Sequence, residues 1–412
     1  MNGTWMQRIA QYWLVLHLTG SGLALGLTAA FQALPVLLFG VWGGLVADRI
    51  DKRRLLVATQ SILGGLGLLL GWLTLSGVVE VWMVFAIAAC LGTVQAIDSP
   101  SRQSFLVEMV GPEHLSNAIG LNSSVVTSSR LIGPAIAGVV IAVVGSGWCF
   151  LYNGMSFFAV VVALLLMRTS ELNRGSPVTS APGQIREGLR YVWTTPELRV
   201  PLLVLLVIGM FAWNWDVILP LLARYTFHSG PASYGLMMSL IGSGSFVGAV
   251  YAAFRGRPDH RLFAAAALCL SVLILTIAIA PSLGIVLGLL APMGTAMFIC
   301  NTIGNNILQT YSSNAFRGRV MSFWVIAFLG TTPISAPTLG WVAQHFGPRA
   351  AIALSGGVLF IVVAVAFHAL SSIAREVAPL PRSALPGGLS GAPDDPDAHS
   401  VIGIANPLEG SR

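Results

Sequence analysis

Twelve apolar segments constrain this chain more than anything else in it. They lie at residues 4–18, 23–46, 55–75, 81–99, 118–144, 148–167, 201–223, 233–253, 261–280, 283–303, 319–343 and 350–370. A helix needs roughly 20 apolar residues to cross the ~30 Å hydrocarbon layer, and most of these segments supply them. Backbone polar groups in lipid must be satisfied within the segment, so each is expected to be a helix. Of the 412 residues 55% are hydrophobic and only 9% are charged. A soluble domain carries about a quarter charged residues, so a water-soluble fold is excluded. The expected fold is an all-α integral membrane bundle of twelve helices.

The connections alternate in charge. Those after the even-numbered segments hold 18 Lys and Arg, from Arg49 to Arg412, whereas those after the odd-numbered segments hold only Arg224 and Arg349. Cytoplasmic loops are enriched in Lys and Arg, which puts the basic connections and both termini in the cytoplasm of a plasma (inner) membrane. The net charge of +6 therefore anchors loops and is no sign of nucleic-acid binding. Cys90, Cys149, Cys269 and Cys300 are scattered singly through apolar runs, so neither a disulfide framework nor a metal site is expected.

The longest internal connection divides six segments from six. The expected organisation is a first six-helix half over 1–168, a central cytoplasmic connection over 169–200, a second half over 201–372 and a polar tail over 373–412 rich in Pro, Gly, Ser, Ala and Asp. Within the connection Ile185, Leu189 and Val192 recur at helical spacing opposite Arg186 and Arg190, the pattern of a helix lying on the membrane face. A weak internal repeat at an offset of 202 residues pairs Gly138 with Gly340 and Gly145 with Gly347. Parallel repeats of this kind are built around a substrate site between the halves. Segment 4–18 would span only ~22 Å and includes Gln7, Arg8 and Gln11; the expectation is that the natural first helix starts upstream and that this one is truncated.

Two motifs carry chemistry. After the second segment runs Gly44-Leu45-Val46-Ala47-Asp48-Arg49-Ile50-Asp51-Lys52-Arg53-Arg54, a turn glycine and a helix-end carboxylate followed by four cations. Such a cluster can latch onto a neighbouring helix terminus in one conformation and release it in another. In the fifth segment Arg130-Leu131-Ile132-Gly133-Pro134-Ala135-Ile136-Ala137-Gly138 combines a proline that removes a backbone donor with glycines that admit a close neighbour, so a bend is expected there.

Gly-x-x-x-Asp-Arg followed by Lys-Arg-Arg between segments 2 and 3 of a twelve-segment chain resembles the cytoplasmic signature loop of the major facilitator superfamily. The resemblance covers the whole chain and implies a twelve-helix fold of two six-helix halves. It implies a gating role at the inner face for Gly44, Asp48, Arg49, Lys52, Arg53 and Arg54, with the loop bridging the halves; Asp51 stands where that pattern often has glycine. The Gly133-Pro134 stretch resembles the motif of the superfamily's antiporters, departing from it at Ala137 and Arg130. Asp98-Ser99-Pro100-Ser101-Arg102-Gln103, Leu115-Ser116-Asn117-Ala118 and Trp5-Met6-Gln7-Arg8 are similar to the branch that contains the enterobactin exporter and the macrolide and multidrug efflux proteins.

Ionisable residues inside lipid cost about 2.5 kcal/mol or more each, which makes the few present candidates for function. They are Arg8, Asp98, Arg130 and Asp216; Asp98 ends the fourth segment, where it can pair with Arg102 or Arg130. Asp216 closes the run Phe211-Ala212-Trp213-Asn214-Trp215-Asp216, whose rings and amide suit either a cavity for an amphiphile or an interfacial position. With Gln32, the candidate substrate or proton site is Arg8, Gln32, Asp98, Trp213, Asn214 and Asp216. Walker loop, metal-spaced histidine pair and nucleophile elbow are all lacking in the sequence, so no enzyme, cofactor or metal is expected. The function expected is that of a monomeric exporter of a small amphiphilic compound, driven by protons through alternating access and surrounded by lipid. A siderophore exporter, a lysophospholipid flippase and a non-transporting receptor are the alternatives.

Overall fold

A computed structural model of the protein describes residues 1–167, 185–255, 259–313, 316–328 and 330–376. The helices, in chain order, are α1 (Asn2–Thr19), α2 (Gly22–Arg49), α3 (Lys52–Leu75), α4 (Val81–Gly111), α5 (Glu113–Val144), α6 (Ser146–Leu166), α7 (Ile185–Thr194), α8 (Pro196–Thr226), α9 (Pro231–Arg255), α10 (His260–Ile279), α11 (Leu283–Tyr311), α12 (Arg317–Phe346) and α13 (Pro348–Glu376). Among the described residues eleven helices are long and apolar enough to cross a membrane, and α1 is the twelfth of the bundle. The amphipathic α7 occupies the residues whose spacing predicted it, with Val192 buried and Leu189 exposed.

Local chemistry sets the boundaries. Gly20 ends α1 in the left-handed region (φ 64°), where glycine has no Cβ penalty. Ser21 and Asp51 cap α2 and α3, each side chain accepting from an N–H of the first turn, and Asp259 does the same for α10. Three elements differ from the sequence expectation. The stretch 100–117 is helical on both sides of Gly111 (φ 71°), so α4 runs past the apolar segment and Asp98 lies inside it, not at its end. In α8, π-turns at Ile208–Ala212 and Leu222–Thr226 flank a short α-helix, Trp215–Leu221. In α12 residues 330 and 331 form a turn before the regular helix resumes at Thr332. Residues 81–144 leave helical geometry only at Gly111, so the chain passes Pro134 without a break.

The helices α1–α6 and α8–α13 meet along two seams. In one, α2 crosses α12 so closely that a Cβ on Gly22 would stand 2.3 Å from the Gly340 carbonyl oxygen. In the other, α5 crosses α9, where a Cβ on Gly235 would stand 2.4 Å from the Pro134 oxygen. At the end of the bundle that holds the α1–α2 turn, side chains tie the two sets together. Arg224 donates to Leu16 O at 2.8 Å and Tyr225 to Gly20 O at 2.7 Å, while the Gln344 amide oxygen accepts from Ser21 Oγ and Leu23 N. Toward the end with the basic connections α2 loses its cover, with Leu38 58% and Trp42 68% exposed. There Asn117 and residues 119–126 of α5 are exposed on every face of the helix. The bundle is thus closed at the α1–α2 end and open at the basic end.

Candidate functional site

The site lies between the two sets of helices, and three of them bring charge to it. On α1 Trp5 and Arg8 are three residues apart and share a face. On α5 Arg130 stands one turn before the Gly133-Pro134 pair. On α8 the regular helix is interrupted at Trp213 and Asn214, which turns Trp213, Trp215 and Asp216 toward the same space. Such an interruption frees backbone groups that need partners. Asn214 Nδ2 donates to Met210 O at 2.9 Å and to Ser335 Oγ at 3.0 Å, and Trp215 Nε1 donates to Ala212 O at 2.8 Å. Breaks of the π type recur at functional sites in helices.

The cavity encloses about 40 Å³ and is lined by these side chains with Met238, Ile241 and Gly242 of α9 and Met297 of α11. That is room for water, against the roughly 300 Å³ or more of a typical ligand pocket. Arg8 and Asp216 form an ion pair at 3.1 Å, with 42% and 15% of their side chains open. Pairing offsets the cost of two charges within the bundle, yet Arg8 Nε and Asp216 Oδ1 have no hydrogen-bond partner among the described residues. Tyr234 donates to the Asp216 carbonyl at 3.4 Å. The Arg8 guanidinium sits 5.4 Å from the centroid of Trp5, and that of Arg130 sits 5.2 Å from Trp5 and 5.4 Å from Trp213.

Of the residues singled out in the sequence, Arg8, Arg130, Asp216 and the rings of Trp213 and Trp215 meet here, whereas Asp98, Gln32 and Asn214 do not line the cavity. Asp98 is fully buried elsewhere: Oδ1 accepts from Thr59 Oγ1 and Gln60 Nε2, both at 2.7 Å, and Oδ2 pairs with Arg102. Gln32 lends its backbone to the α2–α4 contact, where a Cβ on Gly92 would stand 2.2 Å from its carbonyl oxygen. Asn214 is buried beside the cavity and spends its amide on α12.

Two described side chains of the basic loop, Lys52 and Arg53, make contacts with the first six helices. Lys52 pairs with Glu108 of α4, while Arg53 donates to Leu164 O at 2.6 Å and Leu165 O at 2.7 Å, the C-terminal carbonyls of α6. A cation there also meets the negative end of the helix dipole. Arg49 is exposed, the Arg54 backbone N–H caps onto Asp51 at 3.0 Å, and a Cβ on Gly44 would meet nothing within 4 Å. The Asp48 side chain lies outside the described residues, as do residues 168–184 and 377–412. In the helix-bend motif Gly133 receives Trp5, and Gly138 receives Pro231 and Gly235 of α9.

Sequence reasoning named the ring of Trp215 within the aromatic run, and missed Trp5, Met238, Ile241, Gly242 and Met297 as lining residues. Trp5 carried a usable signal, a ring one turn before a membrane arginine. The α9 and α11 residues carried none, because an apolar residue facing a cavity looks like one facing a helix.

A family model described as transmembrane secretion effector matches residues 1–388. The chain is 27% identical over 246 residues to the staphyloferrin A transporter of Staphylococcus aureus, covering 60% of this chain and 62% of that protein, a little under two thirds of its length. It is 26% identical over 353 residues to the multidrug efflux pump Tap of Mycobacterium tuberculosis, covering 83% of this chain and 84% of that one. Among solved structures it is similar to a bacterial homolog of the human lysosomal transporter Spinster in an inward-facing conformation. That likeness has a TM-score of 0.66 at 15% identity and covers 90% of this chain and 95% of the other.

Proposed function

We propose that this chain, which belongs to the transmembrane secretion effector family of the major facilitator superfamily, exports a small amphiphilic compound across the inner (plasma) membrane. The transport is by alternating access, with protons as coupling ion and Asp216 as the group that carries them. The observation behind this reading is the Arg8–Asp216 pair, which joins α1 to α8 across the cavity at 3.1 Å. Protonating Asp216 removes the negative partner and leaves Arg8 unpaired. The contact between the two sets of helices then differs in strength between protonation states, which is what a two-state element needs in order to be biased by a proton. The basic connections face the cytoplasm by the excess of Lys and Arg, so the described conformation is open inward. The basic loop and the Gly133-Pro134 stretch act as gate and as flexible element in this scheme.

Relatives that are efflux pumps support export. The staphyloferrin A transporter among them favours a second reading, export of a siderophore. The test uses inside-out vesicles holding the full chain, energised by an imposed pH gradient, with rhodamine 6G and carboxyfluorescein as cationic and anionic probes. Uptake of either that collapses with a protonophore and in Asp216→Asn supports the reading. Undiminished proton-driven uptake in Asp216→Asn removes Asp216 from the coupling role. The siderophore reading expects cells lacking the protein to retain siderophore under iron limitation.

A further inference from the structure

We propose that the charged patch of this cavity recognises the anionic headgroup of an amphiphile, a carboxylate or a phosphate, and that Arg130 is the residue that selects it. The described 40 Å³ admits only a small group, so the rest of the solute occupies space that opens as the two sets of helices move. This deepens the export reading and rests on it. The charges lining the cavity are two guanidiniums, Arg8 and Arg130, and one carboxylate, Asp216. Asp216 Oδ2 is already held by Arg8 at 3.1 Å. Arg130 makes no hydrogen bond or ion pair among the described residues; it is held by the rings of Trp5 and Trp213. Contact with a ring face uses none of the five N–H donors of a guanidinium. Those donors form a planar fork that matches a carboxylate or phosphate through two parallel hydrogen bonds.

The backbone at this position has a separate task. A Cβ on Gly242 would stand 2.6 Å from Arg130 O, so the main chain of residue 130 packs α5 onto α9 while its side chain remains free for a ligand. The rest of the wall is apolar and adaptable, with Trp5, Trp213, Trp215, Met238, Ile241 and Met297 around the charged patch, a surface suited to a ring system or a short chain. A cationic headgroup would face two guanidiniums, and the one carboxylate, although its Oδ1 is unpartnered among the described residues, is already neutralised by Arg8. An anionic headgroup meets the unpaired cation directly.

The test is binding to the purified full chain in lipid nanodiscs, read by energy transfer from tryptophan to pyrene. Four probes share the ring and differ in headgroup: 1-pyrenebutyrate, 1-pyrenebutyl phosphate, 1-pyrenebutanol and 1-pyrenebutylamine. One or both anions should bind at least about 10-fold more tightly than the alcohol and the amine, and comparing the two identifies the headgroup. Arg130→Gln should weaken the anion by about 10- to 100-fold, the worth of a charge-assisted hydrogen-bonded pair. It should leave the alcohol within about 2-fold, which also shows that the cavity is still formed. Arg130→Lys should keep part of the preference. An amine bound as tightly as either anion overturns the proposal, and so does an anion preference unchanged in Arg130→Gln. Export is scored separately in proteoliposomes. Anion-selective binding with no probe exported sinks the export reading, whereas export that favours the amine sinks the anion reading and leaves export standing.

Discussion

Gly340→Ala offers a direct test of the closed end of the bundle. A Cβ at Gly340 would stand 2.1 Å from the carbonyl oxygen of Gly22, and ordinary contact begins at 3.4 Å. The obstacle is backbone on a facing helix, so no rotamer relieves it; α2 and α12 must part there by about 1.3 Å. Overpacking of this kind costs about 1–3 kcal/mol. The cost falls only on the conformation in which the helices touch, so it appears as a population shift of about 5- to 140-fold. A closed end favoured 100 to 1 would drop to between about 20 to 1 and parity. The assay is pulsed electron–electron distance measurement between spin labels at Leu18→Cys and Phe346→Cys, both exposed positions beside this seam. The exposed Cys90 and Cys269 are first replaced by alanine. Gly65→Ala on α3 is the control, since nothing lies within 4 Å of its Cβ position. An unchanged distance distribution in Gly340→Ala, or an equal shift in Gly65→Ala, would refute the reasoning.

Two further outcomes follow from the charged residues outside the cavity. Asp98→Asn should lower stability by about 3 kcal/mol or more, because one oxygen becomes an NH2 in a buried site where every neighbour donates. Thermal unfolding in detergent reads this, and the headgroup preference of the surviving protein should not move. Lys52→Ala and Glu108→Ala should show a coupling of about 1 kcal/mol in a double-mutant cycle, since their pair is mostly covered, at 18% and 13% exposure. Strict additivity of the two would mean that the contact does not hold α3 to α4.

The sequence made the helices legible because lipid allows one backbone solution to an apolar run of sufficient length. It also exposed Arg8, Arg130 and Asp216, since a charge within such a run has no bland solvent-facing explanation. That these three meet was not legible. They stand on α1, α5 and α8, and nothing in the spacing of positions 8, 130 and 216 states which faces pack together. Asp98 was misplaced for the converse reason. The polar residues 100–117 read as a connection, whereas α4 and α5 extend beyond the apolar segments and turn only at Gly111. The interruption of α8 at Trp213 and Asn214 was marked only at a distance, by Gly209 within the first π-turn and by Pro220, which has no N–H for the Asp216 carbonyl, and neither residue states where the helix breaks.

The glycines connect the repeat to the mechanism. Gly145 and Gly347, 202 residues apart, end α5 and α12 with nearly the same backbone, φ 93° with ψ 166° and φ 88° with ψ 156°. Their partners in the repeat, Gly138 and Gly340, each sit at a seam, against Gly235 and Gly22. A glycine within a helix is about 1 kcal/mol less favourable than alanine, and close backbone approach accounts for these. It does not account for Gly40 and Gly44 of α2 or Gly120 of α5, where a Cβ would meet nothing within 4 Å. All three lie toward the open end. The alternating access proposed above would supply a reason: if the seams part at the α1–α2 end and α2 and α5 close at the basic end, small residues there would admit the facing helices just as Gly22 admits Gly340 here.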